Sequence, residues 1–165
     1  MILIADSGAT KTEWRIIESK EQISQALTDG ISPQYEGEQE IATKLKLAID
    51  KKILPEKVDV IYFYGAGCSS PQKKEAVVNA VFSAIRTEKI EVFSDTTGVA
   101  RSLCGHEKGI AGILGTGSSS CFYDGKEVEV RVPALGYILG DEGSGAYLGK
   151  LFLSALFRNE LSKNI

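Results

Sequence analysis

Three stretches of this chain combine small, hydroxylic and acidic residues in spacings that suit phosphate and hydroxyl chemistry. The first is Asp6-Ser7-Gly8-Ala9-Thr10-Lys11-Thr12, set between the apolar runs Met1–Ala5 and Trp14–Ile17. Gly8 allows a tight backbone turn with no side chain to block a ligand. Ser7, Thr10, Thr12 and the amides around Gly8 and Ala9 can donate to anionic oxygens. Asp6, at the end of the first run, suits a hydrated magnesium ion, which takes a carboxylate or two and keeps its waters. An ordinary polar hairpin turn is the plainer reading of the same residues. The second stretch, Gly115-Thr116-Gly117-Ser118-Ser119-Ser120, is dense in small donors and could cradle a second phosphate. The third, Gly136 to Gly145, places Asp141 beside Glu142 among glycines. Paired carboxylates there suit the adjacent hydroxyls of a sugar, or else a charged first helical turn favoured by the helix dipole.

Asp95 stands between an apolar run, Lys89–Phe93, and Thr96-Thr97-Gly98. That is where an α/β sheet presents side chains at its carboxyl edge. An aspartate so placed can accept a proton from an attacking hydroxyl in phosphoryl transfer. It is equally suited to capping the helix that follows.

The intervening pattern predicts the elements that must hold these residues. The opening hairpin and a third strand, Gln22–Leu27, form an antiparallel meander. Ile41, Leu45, Ala48 and Ile49 recur at helical spacing within Glu36–Lys52. Val58–Tyr64 is an apolar run ending in Gly65-Ala66-Gly67, followed by a helix from Pro71. Lys89–Phe93 and a short helix from Asp95 complete an alternation of strand and helix, which implies a mixed sheet with parallel crossovers. The pattern then restarts: Gly109–Leu114, the glycine-rich turn, Ser120–Tyr123 and Lys126–Val132 echo the first meander. A helix apolar nearly all round is expected from Asp141 or Glu142 toward Arg158. The domain boundaries that follow are 1–107 and 108–165.

Composition narrows the function. With 43% hydrophobic residues the chain can build a core, and a net charge of -3 with no basic stripe argues against a nucleic-acid partner. No apolar run reaches the length of a membrane span and no signal peptide precedes the first strand, so a cytoplasmic location is expected. The three cysteines, Cys68, Cys104 and Cys121, are widely spaced and form no C-x-x-C pair, which indicates neither a disulfide framework nor a zinc site. The one histidine, His106, lies in a turn-like stretch and reads as a surface residue. Gly149-Lys150 is followed by leucine, so it is no Walker A motif, and each near match to G-x-G-x-x-G fails at its last position.

Taken together, D-S-G-A-T-K-T, S-D-T-T-G-V-A-R-S-L-C-G, I-L-G-T-G-S-S-S and L-G-Y-I-L-G-D-E-G-S-G-A-Y-L-G resemble the N-acetylglucosamine kinase branch of the sugar kinase and actin-like ATPase superfamily, which also includes the BadF/BadG/BcrA/BcrD-type ATPases. The resemblance implies an α/β, ribonuclease H-like fold of two lobes, the second continuing beyond residue 165, with ATP and a sugar bound between them. By that resemblance Asp6 assists Mg2+ and Asp95 is the catalytic base. Gly8, Thr10, Lys11 and Thr12, with Gly115, Thr116, Gly117 and Ser118, contact the ATP phosphates. Gly67, Ser119, Gly136 and Asp141 lie at the sugar. The chain has Ser119 where the animal N-acetylglucosamine kinases carry asparagine and Leu135 where they carry tryptophan, which leaves the sugar open. The expected partners are ATP and a small-molecule sugar, and a homodimer is compatible with the reading. Two rivals stand beside the kinase: an activator ATPase that couples hydrolysis to electron transfer, and a non-enzymatic sugar sensor.

Overall fold

The computed structural model describes residues 1–132 and 135–161, and the chain divides into two compact units, Met1–Gly98 and Val99–Ile165. In the first, β1 (Ile2–Ser7), β2 (Lys11–Ile17) and β3 (Ile23–Asp29) form the expected meander. Helix α1 (Glu38–Asp50), β4 (Val60–Gly65), α2 (Pro71–Ala84) and β5 (Lys89–Ser94) follow, and α3 (Asp95–Cys104) begins as β5 ends. The sheet order is β3-β2-β1-β4-β5. β1 runs antiparallel to β2 but parallel to β4, and β4 is parallel to β5. The sheet is therefore mixed, because tight turns join the first three strands whereas helices carry the chain back between the others.

The core of this unit is aliphatic and aromatic: Leu3 and Ala5 of β1, Trp14 of β2, Ile61 and Phe63 of β4, Ile41 and Leu45 of α1, and Val77, Ala80 and Val81 of α2 are all buried. Trp14 sits edge-on to Phe63 at 6.2 Å between ring centroids. Its indole N–H donates to the Thr28 hydroxyl at 2.9 Å, which satisfies a polar group that burial would otherwise leave unpaired.

The second unit contains a smaller antiparallel meander, β6 (Gly109–Leu114), β7 (Ser118–Tyr123) and β8 (Val128–Arg131), in sheet order β6-β7-β8. Buried in it are Ala100, Ala111, Cys121 and Tyr123. A single helical turn, α4 (Gly136–Leu139), was not legible in the sequence, and the last helix, α5 (Gly145–Phe157), starts later than expected. Asp141 and Gly143 both have left-handed backbones, with φ of 61° and 78°, and a right-handed helix cannot pass through them. Ser144 supplies the actual cap, accepting from the Tyr147 N–H at 3.1 Å. The side chains of α5 are apolar nearly all round, and none of its residues is buried. Among the described residues no helix is long and apolar enough to cross a membrane.

Candidate functional site

In the first unit the register fixes which residues share an edge. Ser7 lies opposite Gly65, and Gly65 opposite Ser94. Asp6 near the end of β1 and Asp95 just past β5 are thereby brought to the same carboxyl edge, on either side of β4. Asp95 is not the cap of its helix. Ser94 does that work, its hydroxyl accepting from the Thr97 N–H at 3.3 Å while lying 3.0 Å from the Thr97 hydroxyl. Asp95 Oδ1 accepts from the Thr96 N–H at 2.8 Å and from the Thr96 hydroxyl at 3.3 Å. Helix α3 approaches β4 closely through Gly98, where a β-carbon would lie 2.9 Å from the ring of Tyr64. Tyr64 in turn stacks on Phe93 at 5.4 Å.

Asp6 is held in an unfavourable electrostatic setting. Partial desolvation, then the charges of Glu13 and Asp95, raise its carboxyl above the ordinary aspartate range, and Lys11 only partly opposes them. Lys11 is engaged with Glu13 at 2.6 Å, an exposed pair that an incoming anion could displace at little cost. Cys68, just beyond the same strand ends, is buried, and desolvation pushes its thiol up to about 11. That setting disfavours the thiolate, the form in which a cysteine attacks or binds a metal.

The turn between β1 and β2 is as tight as its sequence predicts, with the Gly8 N–H donating to the Lys11 carbonyl at 3.0 Å. The donors expected of Ser7 and Thr12 are differently used. Both residues are buried, their hydroxyls lie 2.6 Å apart, Ser7 donates to the Ile31 carbonyl at 2.9 Å, and Thr12 donates to the Asp29 carbonyl at 3.2 Å. In this arrangement the Thr12 side chain braces the hairpin from beneath and leaves the outer surface of the turn to Ala9, Thr10 and Lys11. Gly30 completes the brace: its N–H donates to the Thr10 carbonyl at 3.0 Å, and a β-carbon would come within 2.5 Å of the backbone at Gly8 and Ala9. Gly67 needs its glycine too, with φ of 83° and Ser32 and Gln34 close by.

In the second unit the turn after β6 and the segment before α5 are interlocked. Gly145 donates to the Gly115 carbonyl at 2.8 Å and Ala146 to the Thr116 carbonyl at 3.2 Å. The Ser118 N–H donates to Asp141 Oδ1 at 3.3 Å, and a β-carbon at Gly117 would lie 3.0 Å from Asp141 Oδ2. Beside them opens a cavity of about 410 Å³ whose lining includes Ser118, Ser119, Leu135, Asp141 and Glu142. Two of the four residues expected at a sugar, Ser119 and Asp141, thus line one cavity, and Gly136, with φ of 73°, begins α4 nearby in sequence. Leu135 lines the same cavity, so both positions that set this chain apart from the animal kinases converge there.

No family model matches the chain, and no curated protein does. Solved structures do. One, called a "Putative N-acetylglucosamine Kinase" from Porphyromonas gingivalis, is 43% identical, with a TM-score of 0.87 over all of this chain and 59% of its own. The chain has the α/β fold of the sugar kinases and actin-like ATPases. A second structure of the same description, from Chromobacterium violaceum, is 22% identical with a TM-score of 0.60, over 91% of this chain and 54% of its own. The ethanolamine utilization protein EutJ from Carboxydothermus hydrogenoformans shares the fold at 15% identity and a TM-score of 0.54, over 94% of this chain and 56% of its own. The chain therefore spans somewhat over half the length of these proteins. The mixed sheet, with a meander continued by parallel crossovers, is the architecture of that fold.

The Asp6 carboxylate suits a hydrated Mg2+ ion, and the neighbouring charges of Glu13 and Asp95, which with desolvation raise its carboxyl, are ones that a cation would offset. Sequence alone did not single out Ser94 or Gly30 for positioning. Their roles depend on register and on backbone approach, which only the three-dimensional arrangement supplies.

Proposed function

We propose that the protein is an ATP-dependent sugar kinase acting on N-acetylglucosamine or a related amino sugar. The observation that carries this reading is the pair Asp6 and Asp95 on one sheet edge, with Asp95 relieved of helix capping by Ser94. The 43% identity to the Porphyromonas protein supports it. Asp95 takes the proton from a sugar hydroxyl as that oxygen forms its bond to the γ-phosphorus and the bond from phosphorus to the ADP oxygen breaks. Asp6 would hold a hydrated Mg2+ ion, whose charge would offset that of the transferring phosphoryl group. The turn after Ser7 offers Thr10 and Lys11 to phosphate oxygens, and the Gly115–Ser118 turn offers its amides and hydroxyls. The cavity lined by Ser119, Asp141 and Glu142 takes the sugar. The units Met1–Gly98 and Val99–Ile165 would then supply the first lobe and the beginning of the second.

The test is ATP consumption by the protein expressed from its natural gene, against a panel of hexoses and amino sugars. An amino sugar should stimulate it most. Asp95→Asn should lower turnover by about 10²- to 10⁴-fold, the range lost with a general base, with nucleotide binding retained. Absence of stimulation by any sugar would overturn the reading.

A further inference from the structure

Asp141 occupies a position that serves two sites at once. It lines the cavity with Ser119 and Glu142, yet its carboxylate is turned onto the Gly115–Ser118 turn, where Oδ1 accepts the Ser118 N–H and Oδ2 lies against Gly117. The residue holds this pose with a left-handed backbone, φ 61°, and its carbonyl accepts the Ser144 N–H at 3.0 Å. A backbone left-handed at a non-glycine residue persists only where its surroundings fix it. An anionic carboxylate on a backbone N–H is the arrangement that a phosphate oxygen would adopt on the same donor.

We infer that Asp141 is a resident surrogate for phosphate, so that nucleotide and sugar binding are coupled through the exchange of its carboxylate. This rests on the kinase reading of the two sites. The Ser118 N–H cannot fully serve both a carboxylate and a phosphate, and two anions at one donor repel. Nucleotide phosphate therefore displaces Asp141, and the released carboxylate is delivered to the cavity it already lines, where sugar hydroxyls can donate to it. A sugar that draws Asp141 into the cavity equally unmasks the Ser118 N–H for phosphate. By linkage the two effects must be equal, so each ligand strengthens the other by one common factor, and couplings of this kind run at about 5- to 150-fold. The bonds from Gly145 and Ala146 to the loop carbonyls do not involve Asp141, so the exchange leaves the start of α5 anchored. The consequence is economy of hydrolysis: a site without sugar holds nucleotide weakly.

The experiment is calorimetric titration of the natural protein with a non-hydrolysable ATP analogue and Mg2+, with and without saturating N-acetylglucosamine. Wild type, Asp141→Asn and Asp141→Ala are compared. Asparagine tolerates the left-handed backbone and guards against misfolding. In wild type the sugar should tighten analogue binding several-fold. Both variants should bind the analogue several-fold tighter than wild type without sugar, and the sugar effect should vanish. The Ser118 amide in the ligand-free ¹H–¹⁵N spectrum should also move upfield in Asp141→Ala. Analogue affinity unchanged by either substitution, with binding intact, overturns the exchange and leaves the kinase reading standing. Absence of analogue binding in wild type and variants alike overturns both. An unmoved Ser118 amide overturns the surrogate contact itself.

Discussion

Asp6 carries a cost in the folded chain, since burial and the neighbouring charges of Glu13 and Asp95 hold its carboxyl above the usual range. Its native pKa exceeds its unfolded one. Between the two values the native state binds more protons, and stability falls as pH rises through that window. Asp6→Asn removes the penalty. The variant should melt above wild type at neutral pH, and the gain should disappear below about pH 4, where the unfolded carboxyl is protonated as well. Thermal unfolding of both proteins across this range checks it, and a variant that melts lower at neutral pH refutes it. Cost of this kind at an exposed strand end is expected where a residue is kept for binding rather than for stability. Residue type announced Asp6, Asp95 and Asp141 in the sequence. What it could not announce is direction: Thr12 turns inward to Ser7 and Asp29, and capping falls to Ser94 rather than Asp95. Both outcomes hinge on partners distant in sequence or on which of two adjacent acceptors meets an amide.

At the scale of elements, the tight turn between β1 and β2 is shaped as much by what lies under it as by its own residues. Gly30 carries the closest approach, and a β-carbon there would overlap the backbone at Ala9 and Gly8. Gly30→Ala should therefore displace the turn and destabilise the first unit by about 1–3 kcal/mol, the usual cost of overpacking. Urea unfolding should register it as a lower midpoint. Ser144→Ala should cost α5 about 1 kcal/mol through its lost cap, whereas Glu142→Gln, in the turn ahead of the cap, should leave helix stability unchanged. Far-UV circular dichroism during unfolding separates the two variants. Hydrophobic periodicity placed the strands and α1, α2 and α3 within a few residues, because a buried face imposes its spacing on the sequence. It misplaced the start of α5 because Asp141 and Glu142 are permissible in a first helical turn. Only the left-handed backbones at Asp141 and Gly143 exclude them.

At the scale of the molecule, the two units differ sharply in what they bury. The first has a continuous core that includes Leu3, Trp14, Ile41, Ile61, Phe63, Val77 and Val81, whereas the second buries Ala100, Ala111, Cys121 and Tyr123 among its described residues. On α5, Leu148, Leu151, Phe152, Leu153 and Leu156 are each 45–57% exposed. Apolar burial is the main favourable term in folding, at about 25 cal/mol per Å², so local stability should divide in the same way. The sequence foreshadowed the repeat of the meander from its two glycine-rich turns, but not this inequality, because pattern records which residues could be buried and not whether anything covers them. For the 165-residue chain, hydrogen exchange should find slow amides in β1, β4 and β5 and fast ones in β6, β7 and α5. Trp14 is wholly buried in the first unit, and it is the one tryptophan of the chain. Its fluorescence should therefore report only the later of two urea transitions, the earlier appearing in far-UV circular dichroism alone. A single transition, coincident by both probes and accompanied by uniform exchange, would show instead that the two units unfold as one.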